Sequence, residues 1–199
     1  MPRDASATKA RILDAAVAEF AEHGIAGARM DRIADRARAN KRAIYDHFGD
    51  KSTLFGVVLS DQLNRLAEAV ELRPDRIPEY VGELFDYCAA HPELVRLVQW
   101  EALSVPPGKV PGLAERSAAY EAKVAAVAEA QRDGRTAAGL DPRNVLLLLI
   151  GMAEWTLYVP QLAGMILRDD PATAKEYARH RTFLVEVARR LFAPAADPN

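Results

Sequence analysis

The chain has 199 residues, half of them hydrophobic and 27% charged, and a formal net charge of −2. This composition gives enough apolar material for a sizeable core, as one large domain or as a small one joined to a larger one, and excludes a surface that is cationic throughout. The charge is uneven: residues 28–51 hold seven cations (Arg29, Arg32, Arg36, Arg38, Lys41, Arg42, Lys51) against four anions (Asp31, Asp35, Asp46, Asp50), so this segment is +3 and the remainder −5.

Helical periodicity dominates the chain and no strand pattern stands out. The first helix is expected over about Thr8–His23, with Ile12, Leu13, Ala16, Val17 and Phe20 on one face and Ser6 or Thr8 as its cap. Gly24 fits a left-handed position past its end, with Ile25 folding back onto Phe20. A short helix follows over Met30–Arg36, burying Met30, Ile33 and Ala34. After the four residues Ala37–Asn40 comes a third helix, Lys41–His47, for which Asn40 is a good N-cap. Gly49 breaks it, and Asp50 caps a fourth helix from Lys51 that carries Leu54, Val58, Leu59 and Leu66.

RPDRIP (73–78) marks a boundary. The next helix buries Ile77, Val81, Leu84, Phe85 and Cys88, and His91–Pro92 opens another with Leu94, Val95, Val98 and Leu103. SVPPGKVPG (104–112) reads as a loop and Leu113–Arg132 as an alanine-rich helix. Leu140–Pro142 opens a very apolar helix to Val159, which PQLAGMIL continues after Pro160, since proline is tolerated in a first helical turn. Asp170–Pro171 opens the last helix, with Tyr177, Phe183, Leu184, Val187 and Leu191, and APAADPN (193–199) is expected to fray. The run VLLLLIGMAEWTLYV (145–159) is short for a membrane span and contains Glu154, so it reads as a buried helix. The N-terminal stretch lacks the apolar run of a signal peptide, and the lone Cys88 allows no internal disulfide; both fit a cytoplasmic protein.

Two short helices joined by four residues match a helix-turn-helix, whose second helix enters the DNA major groove while the first crosses the backbone. The residue types of 40–51 suit that role. Asn40 caps the recognition helix, and free N–H groups at its start favour phosphate. Lys41 and Arg42 stand at the end that enters the groove; Arg42 could read guanine with two hydrogen bonds or hold a phosphate. Ala43 permits close approach, Tyr45 and His47 can donate to phosphates, and Lys51 is placed for another phosphate. Ile44 and Phe48 should face inward. A solvated pair of charged helices is the plain alternative.

Residues 8–56 resemble the DNA-binding domain of tetracycline-repressor-type (TetR/AcrR) transcriptional regulators, on RILDAAVAEFAEHG, MDRIADRA and NKRAIYDHFGDKSTLF. The resemblance implies an all-α chain: a helix-turn-helix domain over 1–50, a helix from 51 linking the domains, and a larger antiparallel helical regulatory and dimerisation domain over 51–199. It implies a homodimer that binds a palindromic double-stranded operator and usually represses, and an unidentified small-molecule effector that releases DNA; no cofactor is expected, and the scattered histidines and the short apolar run make a metal site and a membrane partner unexpected. Lys41, Arg42, Ala43, Tyr45, His47 and Lys51 match the family's usual DNA-contacting places. Arg29 replaces a frequent threonine cap, Arg38 the turn glycine and Asn40 a common serine; Arg29 and Arg38 would add phosphate contacts. Asp46 either accepts from a cytosine amino group or repels phosphate.

In similar proteins the last two main helices form a four-helix dimer bundle, here assigned to 145–155 and 183–192. Phe85, Trp100, Tyr120, Met152, Trp155 and Tyr158 are candidates to line an effector pocket between helices five to eight, against the alternative that they are core. Glu101 and Glu154 interrupt apolar runs and are read as pocket groups, as solvent-facing, or as ion-paired across a dimer.

Two other classes compete. An enzyme is disfavoured because His23, His47, His91 and His180 are scattered, none stands beside Cys88, and no catalytic or phosphate-cradling motif occurs. A helical interaction protein with a decayed DNA motif is kept open by Arg38 and Asp46.

Overall fold

The computed structural model describes residues 2–168 and 173–193, with backbone only for 2–5. Among the described residues there are ten α-helices, a short 3₁₀ turn (Pro107–Lys109) and no strand. The helices are α1 (Pro2–Gly27), α2 (Met30–Ala37), α3 (Lys41–Phe48), α4 (Lys51–Ala69), α5 (Ile77–Ala90), α6 (Pro92–Ser104), α7 (Leu113–Arg132), α8 (Pro142–Tyr158), α9 (Pro160–Leu167) and α10 (Ala174–Leu191). The expected opening of the last helix at Asp170–Pro171, and the tail beyond Ala193, lie outside the described residues.

The chain forms two compact units, Met1–Leu66 with His91–Leu113, and Ala67–Ala90 with Ala114–Asn199. In the first, Ile12, Phe20, Ile33, Ile44, Leu54, Phe55, Val58 and Leu59 form the buried centre, and the Phe20 and Phe55 rings meet edge to face at 5.3 Å. These are the apolar positions three and four apart on α1, α2, α3 and α4, so helical periodicity alone accounts for the core. Ile44 and Phe48 are buried as expected, which fixes the outward face of α3.

α6 also belongs to this unit and packs along α1. The contact turns on Gly24. Its backbone (φ 66°, ψ −178°) is a conformation open to glycine and little else, and it breaks α1 three residues before its end. The break differs from the left-handed terminus expected: ψ is extended, and helical hydrogen bonding resumes for one further turn to Gly27. A Cβ on Gly24 would lie 2.8 Å from the Trp100 ring, whose indole N–H donates to the Ala21 carbonyl at 3.3 Å. On α6 itself Leu97 is buried and Leu103 exposed, the reverse of the face expected for Leu103.

The second unit packs α5 against α8 and α10. Ile77, Val81, Leu84, Phe85 and Cys88 are buried on α5 as the sequence predicts, with Leu146, Leu149 and Ala153 on α8 and Leu184 and Ala188 on α10. Gly82 admits α10 closely, since a Cβ there would stand 2.8 Å from Val185. Phe183 and Leu191, which fall in the 183–192 segment assigned to a dimer bundle, are exposed in the single chain. No single helix among the described residues is long and apolar enough to cross a membrane.

Replacing Gly24 by Ala adds both a strained φ and a clash with Trp100. The expected loss is about 3 kcal/mol of stability in the first unit, combining backbone strain and overpacking. Urea unfolding followed by Trp fluorescence checks it; a midpoint equal to wild type would contradict the Gly24–Trp100 contact.

Candidate nucleic-acid interface

The helix-turn-helix is built by α2, residues 38–40 and α3. Arg38 takes the left-handed conformation that the turn needs (φ 49°, ψ 45°), and its N–H closes α2 on the Ala34 and Asp35 carbonyls. A glycine would do this without cost, whereas a side chain costs about 1–2 kcal/mol, so Arg38 is kept in place by the elements on either side. Arg11 of α1 supplies one of these supports, donating from Nε to the Ala37 carbonyl at 3.1 Å. Asn40 then caps α3, its Oδ1 accepting from the Arg42 N–H at 2.8 Å.

The N-terminus of α2 has no cap of its own. Arg29 is the N-cap residue and offers no acceptor. Glu19 of α1 takes over: its Oε1 accepts the Arg29 N–H at 2.8 Å and both its oxygens accept from Arg32 Nε, at 2.8 and 3.0 Å. Only 3% of Glu19 is exposed. Burial would raise this carboxyl, but the hydrogen bonds from Arg32 and Arg29 and the Arg32 and His23 charges together hold it below its ordinary 4.5. One buried carboxylate therefore caps α2, fixes its angle to α1 and neutralises a guanidinium.

The outward face of α3 carries the expected groups. Arg42 is 87% exposed on its side chain, with Asp46 3.8 Å away one turn on, and Tyr45 and His47 are exposed. Ala43 is half-buried. Arg29 and Arg38 are exposed. Two of the expected phosphate ligands are engaged within the protein. Lys41 Nζ pairs with Asp31 of α2 at 2.6 Å, which lowers the Asp31 carboxyl and raises the lysine. Lys51 Nζ donates to the Ala26 and Ala28 carbonyls at 3.0 and 3.1 Å, closing the end of α1. An ammonium has three donors, so each retains hydrogen-bonding capacity for a phosphate oxygen. Asp50 caps α4 through the Thr53 N–H at 2.7 Å.

Residues expected to line an effector pocket divide between the units. Trp100 and the buried Glu101 lie in the first, Trp100 against Gly24 as described. In the second unit a cavity of ≈650 Å³ opens among α5, α8, α9 and α10, and Phe85 lines it. Tyr120, Met152, Trp155 and Tyr158 are not among its lining residues. Tyr120 and Trp155 are exposed, whereas Tyr158 donates to Glu154 Oε2 at 2.6 Å. The Cys88 thiol is 3.7 Å from the other Glu154 oxygen. Burial raises the Glu154 carboxyl in spite of these two donors, and raises the Cys88 thiol and the Tyr158 phenol further. Cys88 is therefore a poor nucleophile.

Sequence reasoning missed Glu19, Arg11, Tyr177 and His180. Glu19 stands among apolar helix positions, and that interruption was its one signal. Tyr177 and His180 lie three apart on α10 and reach Phe85 only through the fold, with ring centroids at 4.8 and 5.4 Å.

Comparison with known proteins agrees with this geometry. Residues 12–58 match the family described as bacterial regulatory proteins, tetR family, and residues 76–190 match the tetracyclin repressor-like C-terminal domain. The chain is 48% identical over 165 residues to the HTH-type transcriptional repressor SCO4008 of Streptomyces coelicolor, covering 83% of this chain and 86% of that protein. It is 28% identical over 179 residues to the HTH-type transcriptional regulator RutR of Escherichia coli, covering 84% of each. Among solved structures, the putative transcriptional regulator SCO4942 of Streptomyces coelicolor superposes with a TM-score of 0.81 at 36% identity, over 93% of this chain and 98% of that one.

Replacing Glu19 by Gln keeps the shape but removes the charge. It should cost about 2 kcal/mol at neutral pH, the usual worth of hydrogen bonds to a buried ion. Because the folded carboxyl titrates below 4.5, its contribution is complete above that pH and is lost as pH falls through the folded value. The variant should therefore show a shallower acid limb in unfolding free energy against pH. Superimposable wild-type and variant curves would rule the clamp out.

Proposed function

The chain belongs to the tetR family of bacterial regulatory proteins, and from that membership we propose that it is a ligand-responsive repressor acting as a homodimer on a palindromic operator. It is a DNA-binding transcriptional regulator. The observation that carries the reading is the face of α3: Ile44 and Phe48 are buried, so Arg42, Tyr45 and His47 stand outward from a helix capped by Asn40. On this reading α3 enters the major groove, with Arg42 at a base edge or phosphate and Ala43 against the groove floor. Arg29, Arg38, Lys41, Tyr45, His47 and Lys51 hold phosphates around it, and Asn40 presets the helix start. A DNA phosphate would compete with Asp31 for Lys41.

Residues 1–50 act as the reading head and 51–199 as the regulatory and dimerisation part. Dimerisation is supported by the apolar surface of the second unit. Leu147, Leu148 and Trp155 on α8, and Phe183 and Leu191 on α10, are between 50 and 70% exposed. Gly151, between Leu147 and Trp155 on α8, has open space where a Cβ would be, so a second backbone can approach. Monomeric proteins seldom leave a large apolar patch in water, and a partner would cover these side chains. A two-fold partner covering it sets two α3 helices about one DNA turn apart, and the protein works in the cytoplasm without catalysing a reaction. An effector bound in the second unit favours a conformation in which that spacing is wrong. By linkage, DNA then weakens effector binding by the same factor.

Selection from random duplex DNA at near-physiological salt tests this. The expected product is an inverted repeat whose half-sites are about 10 bp apart, centre to centre. Enrichment of a single half-site would refute the dimer, and no enrichment by a folded protein would refute the reading head.

A further inference from the structure

We propose that the cavity among α5, α8, α9 and α10 is a binding site for an uncharged aromatic small molecule. At ≈650 Å³ it falls within the about 300–1,000 Å³ typical of small-molecule sites. Its aromatic wall is held by ring contacts and hydrogen bonds within the protein. Phe85 and Tyr177 stack at 4.8 Å with an interplanar angle of 27°, and His180 meets Phe85 edge to face at 5.4 Å. The Tyr177 hydroxyl is pinned by donation to Asp86 Oδ1 at 2.6 Å, and the His180 Nε2 by Thr156 Oγ1 at 3.2 Å. A planar ring gains stacking area against such a wall and orders few side chains on binding.

The absence of net charge follows from how the lining charges are used. Asp86 and Glu176 are the lining carboxylates. Asp86 Oδ2 accepts from Arg181 Nε at 2.6 Å, and Glu176 is ion-paired with Arg179. Burial, with the Arg179 charge, pushes His180 below 6.5, so at neutral pH it is an uncharged imidazole. A cationic or anionic ligand would shed water against a wall whose charges are already matched, whereas a neutral ring sheds little. Leu157, Pro160 and Leu167 line the cavity with apolar surface, and the His180–Thr156 pair gives one polar point that can donate to or accept from a ligand heteroatom.

This inference deepens the proposed effector response and rests on it for its biological consequence only. Binding is measured without DNA, so a failed operator selection and a failed ligand site are distinguishable. The probes are N-phenylnaphthylamine, which is uncharged, anilinonaphthalene sulfonate, which adds an anionic group to the same rings, and thioflavin T, a planar cation. Fluorescence titration of the full chain should show saturable binding of the neutral probe at one per chain, at least about tenfold tighter than either charged probe. Ala174 and Ala90 line the cavity at exposed positions. Ala174→Trp and Ala90→Trp fill it from the rim without touching the core, and each should weaken the neutral probe by about tenfold or more. A charged probe bound as tightly as the neutral one would overturn the ligand class. Absent saturation by N-phenylnaphthylamine, or saturation unchanged in both tryptophan variants, would overturn the site.

Discussion

The first unit depends on one buried carboxylate. Glu19 receives the Arg29 N–H at the start of α2 and both of its oxygens face Arg32 Nε. Without that acceptor, α2 would begin at an arginine with no capping group, and the angle between α1 and α2 would lose its polar anchor. Everything outward follows. α2 ends at Arg38 in a left-handed turn steadied by Arg11, Asn40 restarts the helix, and Ile44 and Phe48 dock α3 so that Arg42 points to solvent. A DNA reader needs its recognition helix held to within about half an ångström, and here the support is a chain of backbone-directed hydrogen bonds rather than apolar packing alone.

Several cations in this unit carry structure as well as charge. Lys51 closes the carbonyls of Ala26 and Ala28, Arg11 that of Ala37, Arg32 pairs with Glu19 and Lys41 with Asp31. Counting Lys and Arg along residues 28–51 therefore overstates the charge free to meet phosphate. Arg42, Arg29 and Arg38 are exposed, and Arg42 is only loosely paired with Asp46, at 3.8 Å. The second unit shows the complementary pattern: its half-buried carboxylate, Glu154, is held by the neutral donors Tyr158 and Cys88, and desolvation raises its pKa.

Much of the fold was legible in the sequence because helical periodicity, Asn40, Asp50 and Pro160 are local signals. α7 matches the expected span of Leu113–Arg132, and Asn40 caps α3 as read. What was not legible is long-range. Nothing local pairs Glu19 with Arg29 ten residues away, or brings Trp100 to Gly24 across 75 intervening positions, where only glycine leaves room for the indole. Phe183 and Leu184 are both apolar residues of α10, yet only Leu184 is buried, and periodicity alone does not say which apolar stripe meets the chain's own core. The cavity was missed for a related reason. The aromatic and Met candidates suited to a planar ligand lie in both units, whereas the wall forms from Phe85 with Tyr177 and His180, far apart in sequence.

The central claim is that α3 reads DNA through Arg42. The direct measurement is equilibrium binding of wild type and Arg42→Ala to a selected duplex and to a scrambled one, over a range of salt. The account predicts that wild type prefers the selected duplex and that Arg42→Ala loses about 1–3 kcal/mol on it while changing little on the scrambled duplex. Equal loss on both would make Arg42 a phosphate ligand. An Arg42→Ala protein indistinguishable from wild type on both duplexes would contradict the placement of α3 in the groove.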